Sequence, residues 1–290
     1  MIRKLVITAP TSVVSRNFIQ YLGGRYDVVT VGRRDSDIPF DFSKDQSLCL
    51  PEYADSVIHF AGQLRAGTAE EICEMVNTNV SGVIKLCEAA KRYHAAQVIL
   101  ISTINTTLPV QSPYYSYYCM TKSGGEEAAK LYCRKEGVNL CIIRPSQIFG
   151  LDLDYGRTQP LLYSMIRNAA QNKPITIYGN HDALRNYIYA DNVFRVIHEA
   201  VIRRSTDIID VIGSPNIKLG DAARTIIDCF KSSSEIIFLK DQQNMEDNAF
   251  YTDCNYFDKW GLPFVSFEEA VQLIWKEISA NENRAKINGV

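Results

Sequence analysis

Residues 5–31 read LVITAPTSVVSRNFIQYLGGRYDVVTV. Leu5-Val6-Ile7-Thr8 is an unbroken apolar, largely β-branched run, the pattern of a strand covered on both faces. The small residues Ala9-Pro10-Thr11-Ser12 form a loop, after which Val14, Phe18, Ile19 and Leu22 recur at helical spacing. Gly23-Gly24 stops that helix, and Val28-Val29-Thr30-Val31 is a second buried strand. Two covered strands joined by one amphipathic helix make a βαβ unit, so the sheet begins parallel.

The alternation continues. Ser56-Val57-Ile58-His59-Phe60 is a strand leading into Ala61-Gly62, and a stripe of Ile72, Val76, Val80, Val83, Cys87 and Ala90 predicts a helix over about residues 70–92. Residues 98–101 and 140–143 are further strands, with a helix over about residues 122–136 between them. Up to Gly150 this predicts an α/β fold, a doubly wound parallel Rossmann sheet forming a dinucleotide-binding domain over residues 1–150. Residues 151–290 are expected to form a smaller C-terminal α/β substrate domain, with strands near 176–177 and 236–239 and helices near 161–170 and 267–278. About residues 186–212 are expected to return to the Rossmann core. No Pro/Ser-rich linker separates the two, so they are expected to pack together.

A chain of 290 residues can bury a core without a disulfide or metal staple. Lys+Arg is 31 and Asp+Glu is 33, a formal net charge of −2, which offers no global attraction to nucleic acid or anionic membrane. No apolar run reaches the ~18–20 residues that span a bilayer. The apolar stretch in MIRKLVITAP is too short for a signal peptide. The eight cysteines contain no C-x-x-C pair and none sits at zinc-ligand spacing with His, so reduced, mostly buried thiols and no metal site are expected. The expectation is a cytoplasmic protein with no nucleic-acid or membrane partner.

Two groups of residues carry chemistry. A dinucleotide-binding turn usually places Gly at three positions after the first strand, and here Ala9, Ser12 and Ser15 stand there. Ala9, Thr11, Ser12, Val13 and Val14 are the candidate pyrophosphate contacts at the helix N-terminus. Ala9 is strained if the turn needs a positive φ. The Ser12 and Ser15 hydroxyls are expected to donate to phosphate oxygens, leaving a modestly bound, exchangeable cofactor. The second group is Tyr118-Cys119-Met120-Thr121-Lys122, with Tyr and Lys one turn apart on one helix face. A nearby ammonium favours phenolate, which predicts a Tyr118 pKa drawn from ~10 toward neutrality and a usable proton donor and acceptor. Ser102-Thr103 ends the preceding strand and can hold a substrate oxygen. Arg185 opens an aromatic strand and can bind phosphate bidentately. The second strand ends in Gly32-Arg33-Arg34, where an NAD-selective site carries Asp or Glu; two cations suit a 2′-phosphate, so NADP is favoured and NAD is the alternative.

In this order the pieces resemble the extended short-chain dehydrogenase/reductase family, in its NAD-dependent epimerase/dehydratase branch acting on nucleotide sugars. The resemblance covers nearly the whole chain. It runs through His59-Phe60-Ala61-Gly62, Asn79-Val80 with Gly82, Glu126, Arg144-Pro145-Ser146-Gln147-Ile148-Phe149-Gly150, Tyr178-Gly179 and Trp260-Gly261-Leu262. It implies that Tyr118 is the catalytic acid/base, that Lys122 lowers its pKa and binds the nicotinamide ribose, and that Thr103 is the catalytic hydroxyl with Ser102 beside it. It implies adenine contacts from Asp41-Phe42 and a cofactor wall from Phe60, Ala61 and Gly62. Asn79, Pro145 and Ile148 would add cofactor contacts, and Gln147 and Arg185 would contact the substrate diphosphate. The implied activity is sugar 4-epimerase or 4-ketoreductase, with hydride transfer at a sugar carbon, in a homodimer. Ile104-Asn105-Thr106 stands where a 4,6-dehydratase would need an Asp-Glu pair. The alternative is a non-catalytic dinucleotide or metabolite sensor on the same fold, motivated by the glycine-free loop; intact Thr103, Tyr118 and Lys122 stand against it.

Overall fold

The computed structural model describes residues 3–287. The chain packs as two compact units. The first comprises the chain up to Pro145 together with Phe194–Val211 and Asp258–Trp260; the second comprises Ser146–Val193, Ile212–Phe257 and the chain from Gly261.

The first unit is built on β1 (Lys4–Thr8), β2 (Asp27–Gly32), β3 (Ile38–Pro39), β4 (Ser56–His59), β5 (Val98–Ile101), β6 (Leu140–Pro145) and, from later in the chain, β11 (Ile208–Val211). They form one sheet in the order β11-β6-β5-β4-β1-β2-β3, every pair parallel. β1 sits inside the sheet, and Leu5, Val6 and Ile7 are fully buried, as an apolar strand covered on both faces must be. Its helices are α1 (Val13–Leu22), α2 (Ala69–Val76), α3 (Gly82–Arg92) and α4 (Tyr117–Glu136), with α6 (Ala190–Arg203) entering from the second unit at Phe194. Leu86, Cys87, Ala89 and Ala90 of α3 and Ala129 and Cys133 of α4 join the core under Val57, Val98 and Leu100.

The expected helix over residues 70–92 is three pieces. A capping box of Thr68 and Glu71 starts α2, a single wide π turn spans Asn77–Ser81, and α3 follows. The apolar stripe passes through all three, which is why periodicity reads them as one. The helix expected from about residue 122 starts a turn earlier, at Tyr117.

In the second unit β7 (Gln147–Phe149) pairs parallel with β10 (Tyr187–Tyr189), and β8 (Ile175–Tyr178) with β13 (Ile236–Leu239). β9 (Leu184–Arg185) pairs antiparallel with β12 (Ile217–Lys218). Helices α5 (Pro160–Ala170), α7 (Leu219–Phe230) and α9 (Phe267–Ile287) accompany them, and the short α8 (Tyr256–Trp260) crosses between the units along the chain. Phe149, Tyr187, Tyr189 and Phe267 form an aromatic cluster, and Phe230 packs on Trp275 at 4.7 Å. The changeover falls after Pro145, where Gly150 was expected, and the return begins at Phe194 rather than about 186, because Tyr187–Tyr189 pair with β7.

No helix among the described residues is long and apolar enough to cross a membrane. The described cysteines are free; Cys87, Cys119, Cys133 and Cys141 are buried, whereas Cys49, Cys73 and Cys254 are exposed, so the expected burial holds only for those on core elements.

Candidate active site

A cleft of about 610 Å³ opens in the first unit beside the β1–α1 turn and the end of β2. Of the cofactor residues expected from sequence, Ala9, Thr11, Arg33, Arg34, Asp41, Phe42, Ala61 and Gly62 line it. Arg33 and Arg34 are exposed and share the cleft wall with Asp41. Burial pushes the Asp41 carboxyl up, but the Ser43 hydroxyl and amide, then Arg33 and Lys44, bring it below its ordinary range. Pro10, Gly32, Phe40, Gln63, Leu64, Glu74 and Thr78 complete the wall. Pro10 and Gly32 lie within the loop and strand end already singled out, whereas the sequence carried no local signal for the other five, since only the tertiary fold brings β2, the loop after β4 and α2 to one cleft.

Ala9 adopts φ 54°, the left-handed region that favours glycine. Its amide donates to Val31 O at 2.8 Å and its carbonyl accepts from Ser12 N at 3.0 Å, so the turn imposes the conformation. Ser12 caps α1, accepting from Ser15 N, which leaves its hydroxyl proton available to a ligand. Ser15 is buried and its hydroxyl donates to Thr8 O at 3.1 Å, which corrects the expectation that it donates to a phosphate. Val13 and Val14 form the first turn of α1, half-buried and outside the cleft wall.

Thr8 ties this turn to the loop after β4. Its Oγ1 accepts from Phe60 N at 3.0 Å and Ala61 N at 2.9 Å, so its single proton goes to His59 Nδ1, 3.1 Å away. His59 is therefore the Nε2–H tautomer, and its Nε2 has no hydrogen-bond partner among the described residues. Burial, and then the Lys122 charge, hold its pKa down to about 3, so it stays neutral. The ring meets Phe42 edge-on at 4.9 Å. Phe60 is half-buried against Phe18 rather than in the cleft wall. Asn79, in the π turn, accepts from Gln63 N and donates to Gln63 O and Thr121 Oγ1. These bonds tie the π turn to Gln63, after β4, and to Thr121 of α4. Gly125 of α4 passes so close that a Cβ there would lie 2.3 Å from Asn79 O.

Ser116 precedes α4, so Tyr118 lies in its first turn and Lys122 one turn on. Lys122 is 5% exposed, and its Nζ donates to Ile101 O at 2.6 Å, at the end of β5. Burial lowers its pKa to about 8, with Glu126 pulling the other way. The Tyr118 pKa is raised, not drawn toward neutrality: burial of the phenol is the main cause, and Cys119 adds to the rise. Tyr118 therefore rests as a neutral phenol. Thr103 is half-buried, its Oγ1 accepting from Asn105 N at 3.3 Å. Ser102 is buried and its hydroxyl donates to Glu126 Oε1 at 2.5 Å, so its proton is engaged within the protein. Pro145 is buried at the end of β6.

In the second unit Gln147 and Ile148 lie on β7, and Gln147 Nε2 donates to Gln159 Oε1 at 3.2 Å. Arg185 is 3% exposed, and its Nη1 donates to Leu184 O and Glu246 O, both at 2.7 Å. The expected open clamp is instead a guanidinium partly committed to backbone carbonyls. Among the described residues no group of three His, Cys, Asp or Glu side chains is arranged to hold a metal ion.

Residues 11–211 match the model of the NAD dependent epimerase/dehydratase family. The chain is 25% identical over 173 residues to a UDP-glucuronate 4-epimerase of Thermodesulfobacterium geofontis, covering 56% of this chain and 52% of that protein. It is 33% identical over 116 residues to a uronate dehydrogenase of Pseudomonas syringae, covering 37% and 41%. The chain thus spans about half the length of these curated relatives. Among solved structures it superposes on RMD from Pseudomonas aeruginosa complexed with NADPH with TM-score 0.77 and 17% identity, covering 96% and 99% of the two chains. UDP-glucuronic acid 4-epimerase from Bacillus cereus in complex with NAD gives TM-score 0.72 and 19% identity, covering 95% and 96%. The family model takes in α1, the cleft wall from Thr11 onward, the Tyr118–Lys122 turn and β11, and on that extent of match the chain belongs to the NAD dependent epimerase/dehydratase family.

Proposed function

We propose that this chain is an NAD(P)-dependent enzyme of the sugar 4-epimerase or 4-ketoreductase type, acting on a nucleotide sugar through Tyr118, Lys122 and Thr103. One observation carries the reading: Lys122 is buried one turn below Tyr118, and its ammonium is held on Ile101 O, two residues before Thr103. A buried lysine so placed, in a family named for epimerases and dehydratases, has a chemical reason to be there.

The cleft beside Ala9, Arg33 and Phe42 has the size and the cations to take the adenosine half of a dinucleotide, and relatives of this fold bind NADPH or NAD. That cofactor, when bound, supplies hydride donation or acceptance at a sugar carbon. The rest is done by this chain. Neutral Tyr118 gives its proton to the sugar oxygen in reduction and recovers it in oxidation. The Lys122 ammonium stabilises the phenolate formed at Tyr118 Oη. Thr103 Oγ1 steadies the same sugar oxygen. Arg33 and Arg34 favour a 2′-phosphate, hence NADP. Homodimer formation and a cytoplasmic location complete the reading.

The test is a panel of nucleotide sugars, with and without NADPH or NADH, followed by loss of reduced-nicotinamide absorbance and by product chromatography. NADPH oxidation with a keto sugar supports the reductase, and 4-epimer formation with retained NAD supports the epimerase. Dinucleotide binding with no conversion of any sugar supports the sensor and rejects the catalytic assignment.

A further inference from the structure

Glu126 lies one turn beyond Lys122 on α4 and is 1% exposed. Its carboxylate collects five hydrogen bonds from three elements. Ser102 Oγ donates to Oε1 at 2.5 Å and Thr106 Oγ1 donates to Oε1 at 3.2 Å. Arg144 of β6 donates through Nε to both oxygens at 3.0 and 3.1 Å and through Nη2 to Oε2 at 2.5 Å. Arg144 also sits 3.8 Å from Asp210 of β11, and Lys130 Nζ is 3.9 Å from Glu126 Oε2.

Ser102 and Thr106 bracket Thr103. Thr103 caps the one-turn 3₁₀ helix Ile104–Thr107, and the single Thr106 Oγ1 proton is shared between Glu126 Oε1 and Thr103 O, the latter 2.9 Å away. Just upstream, Ile101 O is held by Lys122. The segment carrying the Thr103 hydroxyl is thus pinned to α4 at three points, two of them through one carboxylate. An isolated buried ion pair repays its desolvation only when its remaining hydrogen-bonding capacity is satisfied, and here it is satisfied by the loop that carries Thr103.

We infer that Glu126 is a positioning residue: paired with Arg144, it sets the Ser102–Thr106 segment, and so the Thr103 hydroxyl, against the Tyr118–Lys122 face of α4. The inference rests on the proposed Tyr118–Lys122–Thr103 chemistry. Lys122 is faced by Glu126 on its own helix and by neutral His59 on β4. Of these, Glu126 is the anion that offsets the burial of the ammonium, so removing its charge moves the Lys122 titration downward.

Glu126→Gln keeps the shape and removes the charge, while Ser102→Ala and Thr106→Val keep the ion pair and remove only the loop's hydroxyls. In the cofactor-loaded enzyme Ser102→Ala is expected to lower kcat roughly ten- to a hundredfold with KM little changed, because misplacement of a reacting group costs turnover rather than binding. Glu126→Gln is expected to do the same and to move the alkaline limb of the kcat profile to lower pH, and Glu126→Asp to restore part of both. The Lys122 ammonium, followed by ¹⁵N NMR in the chain without substrate, should titrate lower in Glu126→Gln than in the unmutated protein. That measurement needs no turnover, so a wrong activity assignment leaves it standing, whereas an inactive unmutated protein rejects the activity alone. Should Glu126→Gln fail to fold, the two loop variants still decide. Unchanged kcat in Ser102→Ala and Thr106→Val, a loss confined to KM, or a Lys122 titration that does not move each overturns the inference.

Discussion

At the β1–α1 turn, three small residues replace the glycines of the family pattern and the backbone is strained: Ala9 is left-handed, and Ser15 spends its hydroxyl on Thr8 O. Along α4 the opposite holds. Lys122 and Glu126 each have a buried partner, and the Thr103 segment is tied down through them. One region keeps a tight turn at a local cost, while the other keeps the groups proposed to react and braces them. The contrast separates two demands: a pyrophosphate needs only backbone amides and room, whereas proton transfer needs named atoms at fixed positions.

The widest test of this contrast is Tyr118→Phe. It removes one hydroxyl from a half-buried ring and leaves α4 intact, so turnover should fall by about 10²–10⁴-fold while dinucleotide binding at the turn is unaffected. Turnover near the unmutated level in a folded variant would remove Tyr118 from the chemistry. Next comes the cost of burying Lys122. Between pH about 8 and its ordinary 10.5 the unfolded chain binds a proton that the folded chain has released, so stability rises with pH across that window and gains nothing from this group below it. The rise is on the order of 3 kcal/mol. Denaturant midpoints for the unmutated protein and Lys122→Met, taken at pH 8 and 10, should differ in slope with pH; parallel curves would show that burial does not depress Lys122.

On the turn side, Arg33→Ala should erase a preference of about one to two decades for NADPH over NADH without weakening NADH. Equal affinities in the unmutated protein would reject the Arg33 argument. The smallest effect is Ala9→Gly. Relief of the left-handed strain, less the greater freedom of glycine in the unfolded chain, should stabilise by roughly 1 kcal/mol, or about 2–4 °C in melting temperature. A melting temperature that falls instead would mean that the turn prefers alanine, and the contrast with α4 would lose its basis.

Much of this was legible in the chain itself. The apolar runs at residues 5–8, 28–31 and 98–101, the helical stripe after the first loop and the Tyr118/Lys122 spacing are patterns of near neighbours, and local backbone sterics turn such patterns into strands and helices. Ala9, of the small residues in the first loop, and the cations Arg33 and Arg34 mark the cleft for the same reason. Other features depend on groups far apart in sequence. The raised pKa of Tyr118, against the expected lowering, comes from how much protein surrounds the phenol. The service of Lys122 to Ile101 O, the single proton of Thr8 given to His59, and the meeting of Ser102, Thr106 and Arg144 on Glu126 exist only once β1, β4, β5, β6 and α4 are packed. Residue order determines which groups are present and how each segment coils. Desolvation and long-range hydrogen bonding, set by the tertiary structure alone, decide which of those groups hold a proton and which are already spent.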